Sequence, residues 1–207
     1  IAWRRLITVM DEVDAAVVRT SFSTIVGDGH DFACVLHDAK GYSIAESTDS
    51  SNLFTVMLPR TTRYLIDHFG QENIHEGDIF ITNDPWLGSG HLPDVVVVSP
   101  VFYHGKLVAY IGTVAHVADI GGNIGYHNAA TIYEEGLQIP PLKLYEAGVP
   151  NEDLLRLIAQ NVRVPDQVIG DIRAFISAHH VGQSRLYEFL DDFGSTDLTS
   201  LAQNIHY

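Results

Sequence analysis

The feature that most constrains the fold of this chain is a long polar segment that joins two apolar runs. Residues 83–94 read Asn-Asp-Pro-Trp-Leu-Gly-Ser-Gly-His-Leu-Pro-Asp, with two prolines, two glycines, two carboxylates and one imidazole. The flanking residues 78–82 and 95–98 are mostly apolar and β-branched, which predicts buried strands. Most connections run about 4–6 residues, and long loops between rigid strands often carry functional side chains. The segment therefore predicts a site held between two strands.

Three potential metal ligands lie in or just after this segment. His91 and Asp94 are three residues apart, and His116 follows on the next predicted strand. Two imidazoles and one carboxylate that leave coordination positions open suit Zn²⁺, Mn²⁺ or Fe²⁺. The same residues also allow a purely structural interpretation, in which His91 and Asp94 cap the loop and His116 is hydrogen-bonded in the core. Spacing alone does not choose between the two.

The register of one predicted hairpin decides whether the ligands can meet. Residues 94–102 and 107–117 are predicted to pair in an antiparallel hairpin. If paired residue numbers sum to 210, as when Tyr103 pairs with Leu107, Asp94 lies opposite His116 at about 4.5–5.5 Å. A two-residue turn gives a sum of 209 and places them on opposite faces. The sequence leaves both registers open, and we expect 210 because a shared metal requires one face.

Composition excludes several classes of function. The formal net charge is −14, with 26 acidic and 12 basic residues, which argues against nucleic-acid binding because phosphate contacts need clustered Lys and Arg. No apolar run approaches the roughly 20 residues that span a bilayer, so we expect no membrane partner. The single cysteine, Cys34, cannot form an internal disulfide. We interpret it as a buried strand residue and expect a reducing compartment, the cytoplasm.

Hydrophobic periodicity predicts an α+β fold, an antiparallel, hairpin-rich sheet flanked by helices. We expect one domain over residues 1–190 and a tail of uncertain structure over residues 191–207. Residues 46–55 and 119–136 are predicted as loops, and Pro59 is expected in the first turn of its helix. The predicted helices cover residues 1–20, 59–69, 154–162 and 165–190, and the predicted strands cover residues 32–36, 42–46, 78–82, 94–102 and 107–117.

Three carboxylates are candidate catalytic groups. Asp119 follows the third potential ligand and could orient an imidazole, although an Asx turn explains it equally well. Glu134 and Glu135 could form a like-charge pair in which one pKa is raised, although paired acids on a surface usually face water. Asp84 precedes Pro85 in a sequence that is more often a turn than a catalytic element. The sequence contains no G-x-x-x-x-G-K-[ST] and no G-x-G-x-x-G that opens a helix, so no standard nucleotide-binding loop is predicted.

Several motifs in the same order resemble the hydantoinase B family, the large subunits or domains of ATP-dependent N-methylhydantoinase, 5-oxoprolinase, caprolactamase and the acetone and acetophenone carboxylases. The resemblance extends from about residue 5 to residue 190. The motifs that carry it are Arg19-Thr20-Ser21-Phe22-Ser23, His30-Asp31-Phe32-Ala33-Cys34, the segment 83–94, Ala115-His116-Val117-Ala118-Asp119-Ile120-Gly121-Gly122, Glu135-Gly136-Leu137-Gln138-Ile139-Pro140-Pro141 and Asn151-Glu152-Asp153-Leu154-Leu155.

The resemblance implies a metal-dependent subunit of an ATP-dependent cyclic-amide hydrolase, for a hydantoin, oxoproline or lactam, or of a ketone carboxylase. It also implies a hetero-oligomer in which an ATP-binding partner of the hydantoinase A type phosphorylates the substrate. Metal ligands of the carboxylase members match His91, Asp94 and His116, with Zn²⁺ or Mn²⁺ expected. Family chains are much longer than 207 residues, so we expect the N-terminal part of the family fold.

A function of a different class is also compatible with the sequence. The chain could be a non-catalytic assembly module that binds the ATPase subunit and holds no metal. Metal content distinguishes this module from the enzyme subunit, because only the enzyme subunit needs His91, Asp94 and His116 as ligands.

Overall fold

A computed structural model describes residues 1–88, 90–124 and 129–206, so Ser89 of the polar segment lies outside the described residues. The strands are β1 (Phe32–Asp38), β2 (Ser43–Glu46), β3 (Ile79–Thr82), β4 (Asp94–Tyr103), β5 (Lys106–His116), β6 (Leu142–Glu146) and β7 (Val149–Pro150). They form one antiparallel sheet in the order β2-β1-β5-β4-β3-β6-β7. The predicted α+β fold is confirmed. The helices are α1 (Ala2–Thr20), α2 (Thr24–Gly27), α3 (Asn52–Phe69), α4 (Ile132–Glu135), α5 (Glu152–Asn161), α6 (Pro165–Phe193) and α7 (Thr199–His206).

The central strands are buried on both faces. Helices α1 and α6 contact one face and α3 contacts the other. Along β4, Val95 and Val97 belong to the core beneath α1 and α6, whereas Val96 and Val98 belong to the core beneath α3. This double burial explains why β4 is a continuous apolar run instead of alternating with polar residues.

The β4–β5 hairpin combines the two registers that the sequence leaves open. At the turn, Tyr103 pairs with Lys106, because His104 and Gly105 have φ of 50° and 76° and form a two-residue turn. The predicted Tyr103–Leu107 pair is therefore wrong. The register shifts between Val101 and Phe102, where β5 carries one extra residue. From Val101 back to Asp94, the numbers of paired residues sum to 210, and the predicted pairing of Asp94 with His116 is confirmed.

Helix α3 begins earlier than predicted. It starts at Asn52 instead of near Pro59, which lies inside the helix and removes one backbone hydrogen bond. Residues 46–55, which include the start of the helix, resemble a loop because they are rich in Ser, Thr and Asp. Phe54 and Leu58 are buried against the sheet, and this burial offsets the lost hydrogen bond.

Helical structure also occurs in segments for which no helix is predicted. The predicted loop 119–136 contains α4, while residues 125–128 lie outside the described part. Residue 190, where the predicted domain ends, lies inside α6, and α7 follows with Leu198 and Ala202 buried in the core. None of the helices in the described residues is long and apolar enough to cross a bilayer.

Asp78 ties the start of β3 to β6. Its carboxylate accepts hydrogen bonds of 2.8 Å from the N–H groups of His75 and Ala147 and lies 2.8 Å from Lys143 Nζ. Burial by itself raises the pKa of Asp78, but the hydrogen bonds from Lys143, Ala147 and His75 outweigh it and hold the pKa below its usual value. The charged form of Asp78 therefore stabilises the fold.

We expect Asp78→Asn to lower the free energy of unfolding by about 2–4 kcal/mol near pH 7, because the amide turns a donor toward groups that donate. Since the folded pKa is lowered, this contribution is complete well above the unfolded value of about 3.9 and disappears as the pH falls through the folded value. Urea unfolding from about pH 7 to about pH 3 measures it. The exposed control Glu76→Gln should change stability by less than about 0.5 kcal/mol. A gap between Asp78→Asn and the native chain that did not narrow on acidification would contradict the prediction.

Candidate metal centre

Three elements bring the predicted ligands together. His91 lies in the loop after β3, Asp94 opens β4, and His116 closes β5. His91 Nε2 lies 3.1 Å from Asp94 Oδ2, and His116 Nδ1 lies 3.1 Å from Asp94 Oδ1. The two imidazole centroids are 5.2 Å apart. Asp94 therefore contacts both imidazoles, one through each carboxylate oxygen.

The two residues between the first two ligands are held by backbone hydrogen bonds to three other parts of the chain. The N–H of Leu92 donates to Glu135 Oε2 at 2.7 Å, and Leu92 O accepts from Asn83 Nδ2 at 2.7 Å. Pro93 O accepts from the N–H of Val117 at 2.9 Å. These bonds fix residues 91–94, which we call the ligand loop, relative to the ends of β3 and β5.

Asn83 supplies the most extensive of these anchors. Its side chain is 2% exposed, and its Nδ2 also donates to Leu137 O at 2.9 Å. Its Oδ1 accepts from the N–H of Ile139 at 2.6 Å, and its own N–H donates to Ile139 O at 3.1 Å. One amide therefore joins the ligand loop to the segment that precedes β6.

The site is electrostatically coupled. The hydrogen bond to Asp94 raises the pKa of His91, and the negative charges of Asp94, Glu135 and Asp31 add to this, against the lowering effect of burial. The side chains of Asp94 and His116 are 3% and 11% exposed, compared with 26% for His91. Each 3.1 Å contact joins an imidazole nitrogen to a carboxylate oxygen.

The donor set fits a divalent transition-metal ion. One ligand atom from each of His91, Asp94 and His116 can be chosen so that all three lie within 4.8 Å of one another. Ions such as Zn²⁺ take imidazole nitrogen and carboxylate oxygen at about 2.0–2.2 Å, so two ligands on opposite sides of an ion are about 4 Å apart. Three protein ligands leave positions open for water or substrate.

The candidate catalytic carboxylates occupy different environments. Both oxygens of Asp119 accept hydrogen bonds from Arg163, at 2.5 Å from its backbone nitrogen and 2.6 Å from Nη1. Asp84 accepts from the N–H of Trp86 at 2.9 Å within its own turn, as the turn interpretation predicts. Glu135 contacts the ligand loop through Leu92. Within the described residues, Glu135 is the one of the three that accepts a hydrogen bond from residues 91–94.

Two cavities flank the three ligands, and Glu135 lines both. The first has a volume of about 300 Å³, and its lining includes His116, Asp119, Ile120, Asn123, Glu135 and Arg163. The second has a volume of about 370 Å³, and its lining includes Pro85, Trp86, Gly90, Thr131, Ile132 and Glu135. A larger cavity of about 500 Å³ lies beside the two hairpin turns and α7, at the far end of β5 from His116. We assign the site to the first of these cavities, because His116 lies on its wall.

Comparison with known proteins shows the family of the chain. Residues 1–206 match the family described as Hydantoinase B/oxoprolinase. The chain belongs to this family. It is 32% identical over 94% of its length to a putative D-/L-hydantoinase B-type subunit of Pseudomonas sp. (strain NS671), of which it covers 34%. It is 29% identical over 97% of its length to the acetophenone carboxylase delta subunit of Aromatoleum aromaticum, of which it covers 30%.

A solved structure confirms the family fold. The crystal structure of an ATP-dependent caprolactamase from Pseudomonas jessenii matches 98% of the chain with a TM-score of 0.86 and 30% identity. The match covers 35% of the caprolactamase chain. The chain thus spans about a third of the length of these Hydantoinase B/oxoprolinase relatives.

Sequence reasoning misses two polar residues of the site. It interprets Asn83 only as part of a turn, although an amide directly after a buried strand can satisfy several backbone groups at once. It does not single out Arg163, which donates to Asp119, Gly121 O and Gly122 O. The local sequence of Arg163 gives no indication of this role, because its partners lie about 40 residues earlier.

We expect Asn83→Ala to lower the free energy of unfolding by about 2–4 kcal/mol, because it leaves buried carbonyl and N–H groups without partners. The neighbouring Asp84→Ala removes only a turn hydrogen bond and should cost about 0.5–2 kcal/mol. Denaturant unfolding of both variants measures the difference. Equal losses in the two variants would argue against Asn83 as the principal anchor.

Proposed function

We propose that this chain is the metal-binding part of an ATP-dependent cyclic-amide hydrolase of the Hydantoinase B/oxoprolinase family. The observation that supports this is the convergence of His91, Asp94 and His116 beside a cavity. Similarity to a hydantoinase subunit and to an ATP-dependent caprolactamase favours ring opening of a hydantoin, oxoproline or lactam. Similarity to an acetophenone carboxylase subunit supports ketone carboxylation as the second candidate reaction.

The proposed centre uses the chain's own side chains in defined ways. His91 Nε2, His116 Nδ1 and a carboxylate oxygen of Asp94 would hold Zn²⁺ or Mn²⁺. When bound, the ion supplies a Lewis acid that polarises a carbonyl or phosphoryl oxygen and stabilises developing negative charge. Asp94 is buried, so its interaction with the two imidazoles is poorly screened by water.

The first cavity is the proposed binding place for the reacting group. His116 lies on its wall, so a ligand there reaches the metal centre directly. Its volume of about 300 Å³ suits a small molecule. Arg163 is fixed at the wall by Asp119 and by two glycine carbonyls. This clamp keeps the cavity shape constant, which favours productive orientation of a bound substrate.

We assign the ATP chemistry to a separate subunit of the hydantoinase A type in a hetero-oligomer. This assignment is supported by the absence of a standard phosphate-binding glycine loop from the sequence. We also assign the protein to the cytoplasm, because its single cysteine, Cys34, is buried in β1 and has no second cysteine to pair with.

The native chain should bind about one equivalent of Zn²⁺ or Mn²⁺ per chain, and His116→Ala should retain little of it. Loss of one of three protein ligands leaves too few donors to compete with water and buffer. Elemental analysis after loading and desalting measures the content. His180→Ala, which removes an exposed histidine on α6, is the matched control and should bind as the native chain does. A native chain that cannot be loaded with metal would favour the assembly module.

Turnover should require the ATP-binding partner. With ATP and a lactam, hydantoin or ketone, the isolated chain should give no ATP-dependent product, because its sequence contains no standard phosphate-binding loop. Adding the partner subunit should restore product formation, measured by chromatography together with phosphate release. Robust ATP-dependent turnover by the isolated chain would refute the assignment of ATP binding to a partner.

A further inference from the structure

Glu135 reaches the ligand loop from a distant part of the sequence. It is the last residue of α4, and its Oε2 accepts a 2.7 Å hydrogen bond from the N–H of Leu92, 43 residues earlier. Leu92 lies between His91 and Asp94, and its side chain is 1% exposed. The carboxylate of Glu135 therefore binds the backbone of the ligand loop between the two proposed ligands that the loop carries.

The peptide groups on the two sides of Leu92 are hydrogen-bonded to two different side chains. Its N–H belongs to the peptide group that follows His91 and bonds to Glu135, while its carbonyl bonds to Asn83. Asn83 is fixed to the segment before β6, but the peptide next to His91 depends on Glu135. Loss of that acceptor would free this peptide to rotate and would move the imidazole of His91 away from Asp94.

Glu135 is itself fixed relative to His116. Gly136 has φ of 140°, and a Cβ there would lie 2.1 Å from Ile120 O, so only glycine allows this close approach. The N–H of Leu137 donates to Ile120 O at 2.8 Å. The segment around Glu135 thus packs directly on the chain that leaves β5 after His116, and Glu135 spans from there to the ligand loop.

We propose that Glu135 is a positioning residue for the metal centre, which orients His91 through the backbone of Leu92. This inference rests on the proposed metal-binding function and goes beyond it. The role requires a hydrogen-bond acceptor at this place and not a negative charge, since the partner is a neutral peptide N–H. A glutamine can supply the same acceptor through its amide oxygen, and an alanine cannot.

Metal affinity of three variants tests the proposal without any activity measurement. Zn²⁺ dissociation constants are measured by competition with a chromophoric chelator for the native chain, Glu135→Ala and Glu135→Gln. We expect Glu135→Ala to bind about 10–100-fold more weakly, the range found for residues that support metal ligands. Glu135→Gln should stay within about 3-fold of the native value, since it keeps the acceptor. Glu76→Ala, which removes an exposed negative charge, is the control and should not change the affinity.

A spectroscopic measurement separates positioning from loss of fold. The visible absorption of bound Co²⁺ reports ligand geometry, and we expect an altered band for Glu135→Ala and a native band for Glu135→Gln. Thermal unfolding without added metal checks that each variant is folded at the assay temperature.

Native affinity of Glu135→Ala would overturn the inference and leave the proposed function intact. Equal weakening in Glu135→Gln and Glu135→Ala would also overturn it, because charge would then be the requirement. Absence of metal binding by the native chain would overturn the proposed function itself.

Discussion

The candidate site depends on the cross-strand pairing of Asp94 with His116, and one extra residue near the far end of the hairpin determines that pairing. The two-residue turn at His104 and Gly105 imposes a register in which the two side chains would lie on opposite faces. The bulge beside Val101 shifts the register by one and restores a common face. About seven residues, or roughly 23 Å of strand, separate the bulge from the ligands. Turn chemistry and site geometry therefore make conflicting demands on one hairpin, and the bulge satisfies both.

Much of the fold can be predicted because its signals are local. The antiparallel hairpins, the cap at Asn151 and the proline that opens α6 each depend on a few neighbouring residues. The beginning of α3 cannot be predicted in this way, because the polar residues before it and the position of Pro59 indicate a later start. Burial of Phe54 and Leu58 against the sheet favours the earlier one. In the same way, spacing identifies the three clustered side chains, whereas the roles of Asn83 and Arg163 depend on partners tens of residues away.

Burial of Asp94 costs free energy that a structural role alone does not require. A carboxylate withdrawn from water loses several kcal/mol of solvation, and contacts with two imidazoles only offset this loss. Apolar side chains at the ends of β4 and β5 would stabilise the sheet at least as well. The loop-capping alternative therefore gives no reason for three polar side chains to converge here. A role as metal ligands gives such a reason, and this difference between the two interpretations supports the proposed metal centre.

Several hydrogen bonds join the ligand loop to the wall of the first cavity and the segment next to it. Residues 119–121, Asn123, Ile124 and Glu135 line this cavity, and Glu135 accepts a hydrogen bond from the N–H of Leu92 in the loop. Asn83 joins the loop to the segment that follows Glu135, because its side chain donates to both Leu92 O and Leu137 O. The positions of the ligand loop and of the cavity wall therefore depend on the same hydrogen bonds, and loss of the Glu135 or Asn83 side chain would remove an anchor of both.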